Sequence, residues 1–97
     1  MQYIKVFWCH FFDTEPTKYY SEIDENRFEV RKIAVFRNGE RYHCDNHIPE
    51  SAIVLGVVPI PSLAEINKDP QFHATYITAA EFENIWQKSD NENHEKS

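Results

Sequence analysis

The dipeptide Asn38-Gly39 constrains the fold more than any other short stretch of this chain. It lies between two runs of strand-forming residues, 27–37 and 40–44. Both residues accept positive φ, and such a pair is typical of a type I′ turn that joins two antiparallel strands. The sequence therefore predicts a β-hairpin near its centre and, with it, an antiparallel sheet.

Alternating apolar residues predict further strands around this hairpin. Residues 1–12 have apolar side chains in both phases, which is typical of an interior strand. Residues 18–23 form a second short strand, which we expect at an edge of the sheet, and residues 53–55 are a candidate fifth strand. The apolar phase changes within the strand before the hairpin, which predicts a β-bulge near Arg31 and Lys32.

Two capping boxes predict short helices in the C-terminal part of the chain, at about residues 62–68 and 79–88. The second helix carries Phe82, Ile85 and Trp86 at the spacing that places them on one helical face. We therefore expect this helix to dock on the sheet through these three residues.

Strands followed by helices predict an α+β fold. We expect a single domain over residues 1–88, with an antiparallel sheet of four to five strands within residues 2–55 and the two helices packed on it. Residues 89–97 contain no apolar side chain and predict a disordered polar tail.

The charge balance limits the classes of partner. Sixteen acidic and ten basic residues give a net charge of −6, most of it in the second half of the chain. Nucleic-acid binding requires clustered basic residues, so we expect no nucleic-acid partner. No apolar run is long enough for a membrane span, and the first ten residues lack the layout of a signal peptide. We expect a cytoplasmic protein with reduced cysteines and no membrane partner.

Histidine and cysteine side chains supply donors for a metal, but at unsuitable spacing. His43, Cys44 and His47 lie at the end of one strand, and Cys9 and His10 lie on another. The chain lacks a Cys-x-x-Cys knuckle, so we expect neither a metal nor another cofactor. Cys9 and Cys44 could be neighbours across the sheet, although free thiols are the usual state in the cytosol.

An enzyme is the alternative interpretation. His10 and His43 would form an acid–base pair, with Glu22 or Asp45 orienting one of them. Transition-state charge would then be stabilised by nearby arginines, for which the candidates are Arg27, Arg31 and Arg41. Nothing in the sequence brings the two histidines together, and we expect no catalytic residues.

Carboxylates interleaved with tyrosines favour a protein-binding face on the second strand and its flanking loops. The seven residues predicted to contact a partner are Asp13, Glu15, Tyr19, Tyr20, Glu22, Asp24 and Glu25. Acidic groups steer a basic partner, and tyrosines are frequent among binding hot spots. A competing acidic surface in the helical half comprises Glu50, Glu65, Asp69, Glu81 and Glu83.

The chain also resembles a family of small uncharacterised bacterial proteins, a domain of unknown function. The matching motifs are MxYIKVxWxH at 1–10, YSEID at 20–24, RxEVRK at 27–32, PIPSLxEIN at 59–67 and EFxxIW at 81–86. The resemblance implies a compact bacterial cytoplasmic domain and assigns no catalytic residue.

Some proteins of this kind resemble immunity proteins that are encoded beside contact-dependent or polymorphic toxins. The implied function is to bind a cognate toxin, a basic nuclease in our expectation, and to occlude its active site sterically and electrostatically. We expect a monomer or a weak dimer. A housekeeping interaction domain is a further alternative.

Overall fold

The computed structural model describes residues 1–12, 15–45 and 59–95. In chain order the elements are β1 (Gln2–Trp8), β2 (Lys18–Ile23), β3 (Glu29–Val35), β4 (Arg41–Asp45), α1 (Leu63–Ile66), β5 (Phe72–Ile77) and α2 (Ala79–Glu95). The five strands form one antiparallel sheet in the order β4-β3-β2-β1-β5. The predicted α+β class with an antiparallel sheet is confirmed.

The order of the strands differs from the expectation at two places. β1 is interior, as predicted, because it pairs with β2 on one side and β5 on the other. β2 is interior too, since it also pairs with β3, and the prediction that it lies at an edge is wrong. The edge position beside β1 belongs to β5, a strand that we did not predict. The candidate strand at 53–55 lies outside the described residues.

The central hairpin is present, but its turn is not type I′. Gly39 has a φ of +92°, whereas Asn38 keeps a negative φ. The carbonyl of Phe36 accepts the Gly39 N–H at 2.9 Å, and the Phe36 N–H donates to the Glu40 carbonyl at 2.9 Å. This pattern defines a three-residue loop, 37–39, in which a type I turn is closed by a glycine in a bulge position.

The β-bulge in β3 lies one residue before the predicted pair. Glu22 pairs with Arg31, and the next residue of β2, Ile23, pairs with Glu29, so Val30 is the extra residue. The extra residue changes the phase of β3. Arg31 and Ile33 therefore face the same side of the sheet as Glu22.

Both predicted helix starts are confirmed. Ser62 Oγ accepts the Glu65 N–H at 3.2 Å at the start of α1, and Thr78 Oγ1 accepts the Glu81 N–H at 3.1 Å at the start of α2. Each bond satisfies one of the N–H groups that a helix N-terminus leaves unpaired. α2 continues to Glu95 and so includes most of the segment predicted as a tail.

The main core lies between the sheet and α2. Tyr20, Ile33 and Phe82 are buried at its centre, and Phe82 has no exposed surface. Partly buried apolar side chains surround them: Tyr3, Val35, Ile77, Ile85 and Trp86. The prediction that α2 docks through its apolar face is therefore confirmed, and burying Phe82 alone stabilises this contact by roughly 1.5–3 kcal/mol.

The opposite face of the sheet carries α1. Arg27, with a φ of +67°, donates from Nε to the Ile60 carbonyl and from Nη2 to the Pro61 carbonyl, both at 2.8 Å. Asn67 accepts the Ala74 N–H at 2.7 Å and donates to the Ala74 carbonyl at 3.0 Å, as a neighbouring strand would. These contacts attach the segment around α1 to the β2–β3 turn at one end and to β5 at the other.

Candidate functional site

The residues predicted to bind a partner are distributed over both sides of the sheet and its turns. Tyr20 and Glu22 face α2, and Tyr19 faces the opposite side, because alternate residues of a strand point to opposite faces. Tyr20 is 7% exposed and Glu22 is 6% exposed. A partner therefore cannot reach these two side chains while α2 is docked.

The remaining predicted residues lie in loops. Asp24 Oδ1 accepts two backbone N–H groups of the β2–β3 turn, at 2.9 and 3.0 Å, so its carboxylate shapes that turn. Glu15 and Glu25 are exposed at opposite ends of β2. Asp13 lies outside the described residues, as does Glu50 of the competing surface. The structure thus does not bring the seven residues together on one face.

Arg31 lies at the centre of a charged cluster beneath α2. Its Nε and Nη2 donate to the two carboxylate oxygens of Glu22 at 2.8 and 2.9 Å, and its Nη1 donates to Glu83 at 3.3 Å. The guanidinium carbon lies 5.0 Å from the centroid of the Phe82 ring and 4.9 Å from that of Trp86. Arg31 in this way connects β3 to β2 and to α2.

These contacts shift the pKa values of the groups involved. Hydrogen bonds from Arg31 lower the pKa of Glu22, and the bonds to Glu22 and Glu83 raise the pKa of Arg31. The neighbouring Glu22 carboxylate, together with burial, raises the pKa of Tyr3. Because Arg31 occupies both oxygens of Glu22, we assign the cluster a structural role, which is to fix α2 on the sheet.

His10 holds together the loop that follows β1. Its Nδ1 accepts the Phe12 N–H at 2.9 Å, so its Nε2, 2.7 Å from the Pro16 carbonyl, carries the hydrogen and donates it. The ring also lies against Trp8, with 4.2 Å between centroids. Both nitrogens of His10 are thus used within the loop.

His43 occupies a different part of the molecule. It is buried on β4, and its ring meets Trp86 edge to face at a centroid distance of 4.9 Å. Strand and residue spacings place His10 on the order of 20 Å from His43. The structure does not bring the two histidines together, and His47 lies outside the described residues.

The two cysteines are free and are not neighbours. Cys9 is exposed at the end of β1, and Cys44 is buried on β4. Because β2 and β3 separate these strands, the arrangement across the sheet that we considered does not occur. Within the described ranges, no group of three or more His, Cys, Asp or Glu side chains could hold a metal ion.

Three neighbouring aromatic side chains form an edge of the molecule that we did not predict. The rings of Trp8 and Phe72 are stacked at a centroid distance of 6.0 Å, and Phe12 lies 6.4 Å from Trp8. Trp8 Nε1 donates to Gln71 Oε1 at 3.3 Å, and Phe12 remains 61% exposed. We call Trp8, Phe12 and Phe72 the aromatic edge.

A groove of about 370 Å³ continues from the aromatic edge along α1. Its lining is formed by Val6, Pro61, Ile66 and Phe72 together with two acidic residues, Glu65 and Asp69. We call these six residues the acidic groove. The Glu65 carboxylate is exposed and pairs with Lys68 at 3.0 Å, and Asp69 is exposed as well. An apolar floor with carboxylates beside it suits a basic side chain with a long aliphatic stem.

The sequence contained a signal for this site. Five of the six residues from 7 to 12 are aromatic or histidine, which is more than an interior strand needs. The apolar pattern extends the predicted strand through these residues, whereas β1 ends at Trp8 and Phe11 and Phe12 are exposed beyond it.

The chain belongs to the family DUF6881, a domain of unknown function, because the family model matches residues 2–91. The predicted resemblance to an uncharacterised domain family is confirmed at this level. No curated protein and no solved structure matches the chain. In the described part of the chain, no helix has the length and apolar character needed to cross a membrane.

Proposed function

We propose that this domain binds and neutralises a basic protein toxin, and that it does so through the aromatic edge and the acidic groove. One observation carries the proposal: the exposed ring of Phe12 and the half-buried rings of Trp8 and Phe72 lie beside a groove that has an apolar floor and two exposed carboxylates. The surface differs from the one that the sequence suggested, but the mechanism of occlusion is the same.

The aromatic edge and the acidic groove would contribute to binding in different ways. Exposed aromatic patches mark interaction sites, and aromatic side chains supply much of the binding energy of an interface. Carboxylates beside them increase the rate of encounter with a basic partner and pair with its Lys and Arg side chains. The net charge of −6 favours the same kind of partner. The sequence motifs from which we expect a resemblance to immunity proteins are our reason for proposing a toxin as this partner.

The experiment takes the product of the gene immediately upstream as the candidate toxin and uses it as the probe. The domain should protect cells that express this toxin, and the two proteins should co-purify. Phe12→Ala should weaken the complex by about tenfold or more, as expected for a hot-spot aromatic. Glu65→Lys should slow association, most strongly at low salt.

Matched controls lie at the other end of the sheet. Phe28 is 38% exposed, and Glu25 is an exposed carboxylate of the same turn. Phe28→Ala and Glu25→Lys should leave protection unchanged. Loss of protection in these controls, with none in Phe12→Ala and Glu65→Lys, would reject the proposed surface. If the upstream product is not a toxin or does not bind, the proposed function itself is wrong.

A further inference from the structure

A second groove, of about 460 Å³, begins at the same end of β1 but has the opposite charge. Four side chains that line it matter here: Phe7, Phe11, Lys18 and Arg37. We call these four residues the basic groove. Phe7 of β1 pairs with Lys18 of β2. The pair Lys5 and Tyr20 lies two residues further along these strands, on the same face of the sheet. Phe7 is 39% exposed and Phe11 is 94% exposed.

Two ammonium groups lie over one aromatic ring in this groove. Lys5 Nζ is 5.2 Å and Lys18 Nζ is 5.5 Å from the centroid of the Phe7 ring. Neither lysine forms an ion pair with any residue that the structure describes. Cation–π contacts hold the two groups near each other, and their mutual repulsion makes the position favourable for an anion.

Arg37 adds a third cation at the end of the groove. Its Nη2 donates to the His10 carbonyl, so the guanidinium is attached to the loop that follows β1. The lining between these cations is largely apolar, because it includes the rings of Phe7 and Phe11. The ligand should therefore carry negative charge and apolar surface together.

We propose that the basic groove binds an acidic peptide segment of a partner protein, with its carboxylates at Lys18 and the adjacent Lys5 and an apolar side chain against Phe7 and Phe11. This site is separate from the acidic groove, since Phe7 and Val6 point to opposite faces of β1. The inference does not rest on the proposed function.

A short peptide fits the groove better than a nucleic acid does. The net charge of −6 repels a long polyanion, whereas a peptide with a few carboxylates carries little charge beyond the groove. Single-stranded nucleic acids also need free aromatic faces on which bases stack. The Phe7 ring is contacted by two ammonium groups, so of the two phenylalanine rings only that of Phe11 is open for stacking.

The test measures fluorescence anisotropy with a labelled peptide of four glutamates around a central leucine. The same peptide with glutamines and a single-stranded thymidine decamer are the comparison probes. Lys5→Gln/Lys18→Gln should weaken binding of the glutamate peptide by about tenfold or more, equivalent to roughly 1.4 kcal/mol. Higher salt should weaken it as well, because salt screens surface charges.

The matched control is Lys68→Gln/Lys88→Gln, which removes the same charge at two exposed positions elsewhere. The affinity of this variant for the glutamate peptide should stay within about twofold of that of the unchanged protein, which corresponds to a difference near 0.4 kcal/mol in binding free energy. Phe11→Ala provides a second variant that cannot unfold the domain, because the side chain is almost fully exposed. It should also weaken peptide binding.

Three results would overturn the proposal. The first is the absence of saturable binding by the glutamate peptide, or equal binding of the glutamine peptide. The second is an equal loss of affinity in both double lysine variants, which would indicate a general charge effect. The third is tighter binding of the thymidine decamer than of the glutamate peptide, which would indicate a nucleic-acid site.

Discussion

The guanidinium of Arg31 in β3 donates two hydrogen bonds, at 2.8 and 2.9 Å, to the carboxylate of Glu22 directly opposite in β2. The side chains are 18% and 8% exposed, so little water screens the pair. A bidentate pair of this kind has fixed geometry and is stronger than a neutral hydrogen bond. It positions Arg31 to contact α2 from below.

Removing Arg31 should destabilise the domain strongly. Arg31→Ala leaves Glu22 charged, buried and unpaired, at an expected cost of about 3–5 kcal/mol. The double variant Glu22→Gln/Arg31→Met should recover much of this loss, because neither buried charge remains. Urea denaturation measures the free energy of unfolding. Glu83→Gln is the control, since Glu83 is 44% exposed and should cost less than about 1 kcal/mol. An equal loss in Glu83→Gln and Arg31→Ala would contradict this account.

The same pair predicts a loss of stability in acid. The folded state lowers the pKa of Glu22 below its ordinary value of 4.5. Its stabilising effect is therefore complete above that value and is lost as the pH falls through the lower folded-state pKa. We expect the melting temperature to fall as the pH drops below 4.5. In Glu22→Gln this part of the decrease should be absent, so a parallel pH profile in the variant would argue against the assignment.

Sequence alternation predicted most of the sheet because it reports which side chains share a face. The hairpin around Gly39 and the docking of Phe82 follow from local patterns alone. β5, Phe72–Ile77, was missed because it lies between two capping boxes, although four of its six residues are of types that are common in strands. Its place beside β1 depends on long-range pairing, which no local pattern encodes.

The candidate site was harder to predict for a related reason. Glu22 has the sequence features of a surface carboxylate, and its burial results from the register that places Arg31 opposite it. Phe72 meets Trp8 only because β5 returns to pair with β1. Residues far apart in the chain form both contacts, so the sequence indicated the residue types without their arrangement.

Gly39 tests the turn that the structure assigns to the central hairpin. A side chain there has to adopt a φ of +92°, although an added Cβ would meet no atom within 4 Å. Gly39→Ala should therefore cost about 1–2 kcal/mol from backbone strain alone. Gly39→Asn should cost less, because asparagine tolerates positive φ. Thermal unfolding of both variants distinguishes strain from steric clash, since clash would make the larger asparagine worse.

His10 should control the order of the aromatic edge. Its Nδ1 accepts the Phe12 N–H at 2.9 Å, so His10→Ala leaves this amide without its acceptor. If this hydrogen bond contributes about 1 kcal/mol, its loss should increase the hydrogen-exchange rate of the Phe12 amide roughly fivefold. The amide of Tyr20 in interior β2 should be unaffected, and His73→Ala, at an exposed position of β5, should change neither rate.

Because Phe12 also stacks on His10, with 5.5 Å between ring centroids, His10→Ala should bind the toxin more weakly while keeping its melting temperature within a few degrees. Unchanged exchange at Phe12 would mean that His10 does not hold this loop.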